Sequence, residues 1–209
     1  MNPVLVPLLA LALLPPQAGG LTAEERALTT FIDADNGRAL ALLEKAVNIN
    51  SGTMNFAGVR AVGALLRPEF DALGFKTEWA DGAAFERAGH LVAYHPGPGP
   101  LILLIGHLDT VFEPDSPFQK FERVDADSAK GPGITDMKGG NVVMIQALKA
   151  LHSTGALKTM NIVVVLTGDE ESGGRPLGAS RAALVKAAQG ARVAIGFEDG
   201  ASNPKTAVI

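Results

Sequence analysis

Three short apolar runs constrain this chain most: residues 101–106 (LILLIG), 162–166 (IVVVL) and 193–197 (VAIGF). Each is too short for a helix and lacks polar alternation, so each reads as a strand buried on both faces. Helical patterns lie around them. Thr22-Ala23-Glu24-Glu25 is a capping box that starts a helix. Gly37 marks a break in it, and a second helical stretch runs to about residue 48. Residues 57–73 form a further helix, with Pro68 as a kink or boundary. Helices also cover 142–151 and 177–188. Short strands are expected at 75–79 and 91–94, an edge strand at 121–124 and a loop at 134–140. This alternation predicts an α/β fold, a three-layer sandwich with a mixed, largely parallel central sheet.

The bulk properties exclude several functions. Hydrophobic residues make up 47% of the 209 and charged residues 19%, enough for a real core. A net charge of −4 with no basic cluster argues against nucleic acid or an anionic membrane as partner. Without cysteine there are no disulfides and no thiolate metal sites. Residues 1–20 stand apart. The apolar run 4–14 is too short to span a bilayer and is followed by Pro15, Pro16 and small residues to Gly20. This reads as a signal peptide cleaved near 18–20, giving a secreted or periplasmic protein with no membrane contact after cleavage. No Lys or Arg precedes the run, and an apolar N-terminal helix is the alternative.

All three runs end in charge. The first leads into His107 and Asp109, the second into Asp169-Glu170-Glu171, the third into Glu198-Asp199. Gly131 to Gly140 (GPGITDMKGG) lies between the first two and adds Asp136. Ligands of open α/β sheets bind beyond the carboxyl ends of the strands, so these groups would collect at one edge. On a strand, His107 and Asp109 share a face, which suits a metal ligand with a carboxylate on its other nitrogen. A lone pair of this kind is more often a satisfied histidine at a strand end. Crowded carboxylates are costly unless cations hold them. A mixed histidine and carboxylate set suits zinc, or less specifically manganese or cobalt. The glycines of GPGITDMKGG fit neither a phosphate loop nor a dinucleotide fingerprint; they let the backbone approach a crowded centre.

GHLDTVF, GPGITDMKGG, GDEESGG and the FED segment together resemble the catalytic domain of the zinc-dependent exopeptidases. That family includes glutamate carboxypeptidase, aminoacylase and succinyl-diaminopimelate desuccinylase, and the glutamate carboxypeptidase branch resembles the chain most. The resemblance covers about residues 36 to 209, which makes 21–209 the N-terminal part of a metallopeptidase catalytic domain. It implies two Zn2+ ions, with Co2+ or Mn2+ possible. It implies that His107 and Glu198 bind one metal, that Glu171 binds the other, and that Asp136 bridges both across a cis peptide to Met137. Asp109 would support His107, and Glu170 would be the general base and acid. The implied reaction is hydrolysis of a peptide or N-acyl amino acid.

The resemblance also implies more than these residues supply. Family members insert a dimerisation domain after a strand matching 205–209, then return with a final histidine ligand. The printed sequence stops at Ile209, so the expected homodimer belongs to a longer form. His90, His95 and His152 match no ligand position and read as surface or loop residues. Two readings follow: part of an exported metallopeptidase, truncated before the inserted domain, or an inactive metal-binding remnant of one. A nucleotide-binding α/β module is the third.

Overall fold

Thr22 starts the first helix as its capping box predicts: its hydroxyl accepts from the Glu25 N–H, and the Glu25 carboxylate accepts from the Thr22 N–H. In this computed structural model, residues 20–200 are described. The proposed signal peptide, except Gly20, and the strand expected near 205–209 lie outside them. The helix, α1 (Ala23–Val47), runs unbroken through Gly37. A helical glycine costs only about 1 kcal/mol relative to alanine. Burial of Ala39, Leu42, Ala46 and Val47 outweighs that. Next comes α2 (Phe56–Asp71), which accommodates Pro68 in its last turn without ending there.

The remaining elements follow in order: β1 (Lys76–Asp81), β2 (Gly89–His95), β3 (Leu101–His107), β4 (Glu122–Arg123), β5 (Ala129–Lys130), α3 (Gly139–Ser153), β6 (Asn161–Thr167), α4 (Leu177–Ser180), α5 (Ala182–Ala188) and β7 (Val193–Gly196). Five strands form the central sheet in the order β1-β2-β6-β3-β7. β2 is antiparallel to both its neighbours, whereas β3 is parallel to β6 and to β7. The carboxyl ends of β3, β6 and β7 therefore share one edge.

The sheet separates two apolar layers, and period-two alternation assigns residues to each. Leu91, Ala93, Leu104, Ile162, Val164 and Leu166 pack with α1, α2 and α3. Val92, Leu103, Val163 and Val165 pack with Leu184 and Ala187 of α5. This is the expected three-layer α/β sandwich with a mixed, largely parallel sheet. Fully burying such a side chain contributes about 1.5–3 kcal/mol. A polar clamp joins the helices: the Gln146 amide on α3 donates to buried Asp35 on α1 at 2.9 Å. Burial pushes the Asp35 carboxyl up, but Gln146 and Arg38 more than offset it, and the net shift is downward.

Four further expectations are corrected. Residues 121–124 do not edge the main sheet. β4 pairs with β5 in a separate exposed ribbon, joined by a 2.7 Å Lys130–Glu122 ion pair. Its residues are too polar and exposed for a buried sheet. Residues 134–140 are only partly a loop: Ile134–Lys138 is a kinked turn with non-helical dihedrals at Asp136 and Met137, closed by Lys138 N–H donating to the Gly133 carbonyl at 2.7 Å, and α3 already begins at Gly139. The helix expected at 177–188 breaks at Arg181, whose guanidinium reaches Asp169 at 2.6 Å. Finally, β7 is not buried on both faces. It is an edge strand among the described residues, with Val193 46% and Ile195 43% exposed.

Candidate metal centre

Strand β3 delivers His107, almost wholly buried, to the carboxyl edge of the sheet. Its Nε2 lies 2.9 Å from Asp136 Oδ1 and 3.4 Å from Glu198 Oε1. Donor atoms of His107, Asp136 and Glu198 all fall within 4.8 Å of one another, and so do those of His107, Glu170 and Glu171. The structure thus brings together every predicted ligand and the predicted base around one imidazole. It groups Glu171 with His107 and Glu170 rather than with Asp136.

Local structure explains the convergence. Asp136 sits at the kink of the turn before α3, and its peptide bond to Met137 is cis, as the resemblance implied. Glycines permit two close approaches. A Cβ on Gly140 would meet the Phe197 carbonyl at 1.9 Å, so glycine lets the Glu198 segment lie against the start of α3. A Cβ on Gly106 would meet Asn141 Oδ1 at 2.4 Å. Asn141 uses that approach to donate its amide to the His107 carbonyl at 2.6 Å.

Asp109 supports His107 and also holds more than the sequence suggested. Strand β3 ends at His107, so Asp109 lies beyond it. The His107 Nδ1 partner at 2.9 Å is the Asp109 backbone carbonyl, while Oδ1 stands at 3.5 Å. The fully buried carboxylate instead accepts from Glu170 N–H at 3.0 Å, Glu171 N–H at 3.1 Å and the Thr53 hydroxyl at 2.7 Å. Asp109 therefore ties the imidazole to the backbone that carries both glutamates.

Electrostatics follow from one imidazole among many carboxylates. Burial lowers the His107 pKa, but Asp109, Glu198 and Asp136 more than offset it and the net value rises to about 9. Burial and the nearby Asp136, Asp109 and Glu170 push Glu171 up to about 7, against an opposing pull from His107. Glu198 is also raised, by burial and by Asp136, Glu170 and Asp199, again against His107. The set is short of positive charge, and a mixed imidazole and carboxylate donor set suits a divalent cation such as zinc.

Sequence reasoning missed several supports. His90 is not a surface residue but is 1% exposed. Its Nδ1 accepts from Gly168 N–H at 3.1 Å and its Nε2 donates to the Ser180 carbonyl at 2.8 Å, with the ring stacked on Phe85. Asp169, fully buried, accepts from Gly174 N–H and from the Ser180 hydroxyl at 2.8 and 2.6 Å. With the Arg181 pair, these contacts brace the loop of Glu170 and Glu171 from its far side. Lys138 is also buried. It donates to the Ile49 carbonyl at 2.9 Å, and burial pulls its pKa down to about 8. A lysine followed by two glycines gave no sign of burial.

An α/β sandwich with such a donor cluster beyond its parallel strand ends defines a protein with a candidate metal centre. Residues 103–206 match the model of peptidase family M20/M25/M40. The chain is 35% identical over 159 residues to carboxypeptidase G2 of Pseudomonas sp. (strain RS-16), covering 75% of this chain and 38% of that protein. It is 37% identical over 87 residues to a probable succinyl-diaminopimelate desuccinylase of Staphylococcus epidermidis, covering 40% of this chain and 22% of that protein. Human carnosine dipeptidase 1 superposes with a TM-score of 0.69 at 19% identity, over 84% of this chain and 41% of that one, a likeness of fold. The chain belongs to peptidase family M20/M25/M40. It spans less than half the length of these relatives.

Proposed function

We propose that the chain is part of a metal-dependent hydrolase of peptide or N-acyl amino acid bonds, resembling the glutamate carboxypeptidases. The observation that carries this reading is the convergence of His107, Asp136, Glu170, Glu171 and Glu198 at one strand edge of a chain in this peptidase family. His107 and Glu198 would hold one zinc, Glu171 the other, and Asp136 would bridge them; Co2+ or Mn2+ are the alternatives. When bound, such a metal pair polarises the scissile carbonyl and makes an adjacent water acidic. His107 must give up its Nε2 proton for a cation, so uptake at neutral pH should release protons. Asp109 holds the imidazole and the glutamate backbone in place. Glu170 takes a proton from water and returns it to the leaving amine. The Glu170 and Glu171 N–H groups both donate to Asp109, and adjacent side chains can point in different directions, so one glutamate can ligate while the other carries protons.

The substrate is proposed to be an amide with a C-terminal glutamate or similar acidic residue, on the strength of the resemblance of the sequence motifs to the glutamate carboxypeptidase branch. The apolar run at 4–14 supports export, with secretion or a periplasmic location. No helix among the described residues is long and apolar enough to cross a membrane.

The second reading, metal binding without turnover, is favoured by one observation: among the described residues, His107 alone supplies imidazole to the cluster. Assay of a panel of N-acyl glutamates and glutamate-terminated dipeptides, before and after chelation, separates the two. Hydrolysis that disappears on chelation and returns with zinc is expected. Hydrolysis that survives exhaustive chelation contradicts the proposal, and zinc uptake with no turnover on any amide selects the second reading.

A further inference from the structure

We propose that Thr53 is a positioning residue of this site, acting through Asp109. It lies 56 positions earlier in the chain, in the segment between α1 and α2, yet its hydroxyl donates to Asp109 Oδ2 at 2.7 Å inside the core. Thr53 is 2% exposed and Asp109 0%, so no water competes for this bond.

The bond matters because of what else the carboxylate holds. Oδ1 takes the Glu170 N–H and faces His107 Nδ1. Oδ2 takes the Glu171 N–H together with the Thr53 hydroxyl. Without the hydroxyl, Oδ2 loses its shortest partner and the carboxylate can rotate away from the arrangement that serves both sides.

The segment itself is firmly placed. Thr53 N–H donates to the Thr110 carbonyl at 3.2 Å and Thr110 N–H donates to the Ser51 carbonyl at 2.9 Å. Asn50 donates to the Phe112 carbonyl at 2.9 Å, and Lys138, two residues from Asp136, donates to the Ile49 carbonyl. The loop thus forms a floor beneath the site, and Thr53 is the side chain through which that floor reaches Asp109. Outer partners of this kind typically change metal affinity 10- to 100-fold when removed.

The inference rests on the proposed metal site only for its second readout. The test compares Thr53→Val and Thr53→Ser with the wild-type chain. The first readout is amide hydrogen exchange at Glu170 and Glu171 in metal-free protein; the second is zinc affinity by competition titration. Thr53→Val should speed exchange at both amides about tenfold and weaken zinc about tenfold or more, whereas Thr53→Ser, which keeps the hydroxyl, should match wild type. Should Thr53→Val fail to fold, Thr53→Ala against Thr53→Ser makes the same comparison. Wild-type exchange in the variant lacking the hydroxyl overturns the proposal, as does equal loss in the serine variant. Faster exchange with no zinc uptake by any chain, wild type included, upholds the Thr53 contact and overturns the metal reading instead.

Discussion

Replacing Glu170 with glutamine is expected to lower amide hydrolysis by about 10³-fold while leaving zinc affinity within about threefold, the loss typical of removing a general base. The Glu170 side chain is exposed, and its carboxylate has no hydrogen-bond partner among the described residues, whereas its N–H is fixed on Asp109. The backbone is held and the carboxylate is free, as a proton carrier requires. Glutamine keeps the shape and loses only the ability to take a proton. Steady-state rates and a zinc titration on the same preparation give both numbers. A glutamine variant with wild-type turnover would remove Glu170 from its proposed role, and one that lost zinc equally would make it a ligand instead.

Asp109→Ala should be the most damaging change to the fold. Removing the carboxylate strands the Thr53 hydroxyl and the N–H groups of Glu170 and Glu171, and it leaves the buried imidazole without its carboxylate neighbour. Breaking such a buried charged set costs about 3–5 kcal/mol, readable as a lower urea midpoint for the metal-free protein. The effect depends on pH in a definite sense. Burial raises the Asp109 carboxyl, but His107, Thr53 and the Glu170 N–H more than offset it, and the net shift is downward. Its contribution is therefore present above the usual aspartate range and fades as pH falls through the depressed folded value. Wild type and variant should converge in acid. A midpoint unchanged at neutral pH would show that Asp109 is not the hub its contacts imply.

The parts of this fold that were legible in the sequence are those whose signal is local. The runs that become β3 and β6 are apolar because both their faces are covered, and the capping box is a contact within one turn. The positions of the proposed metal and proton-transfer groups were legible because each closes or follows a strand or glycine turn. What escaped was set by long-range contacts. Arg181 leaves its helix for Asp169, and His90 is buried because β2 lies between β1 and β6 with both ring nitrogens satisfied. The Thr53 contact with Asp109 spans one helix and three strands, and neither flanking sequence announces it. Gly37 failed in the opposite way, because a residue that disfavours a helix locally sits in one that packing against α3 secures.

The central claim is that one imidazole at the end of β3 organises a metal centre. Equilibrium titration of the metal-free chain with zinc, wild type beside His107→Ala, tests it most directly. Wild-type protein should bind zinc, and His107→Ala should bind it at least about 100-fold more weakly, beyond what loss of an outer partner causes. Equal affinity in the two proteins, or no uptake by the wild type, would contradict the account.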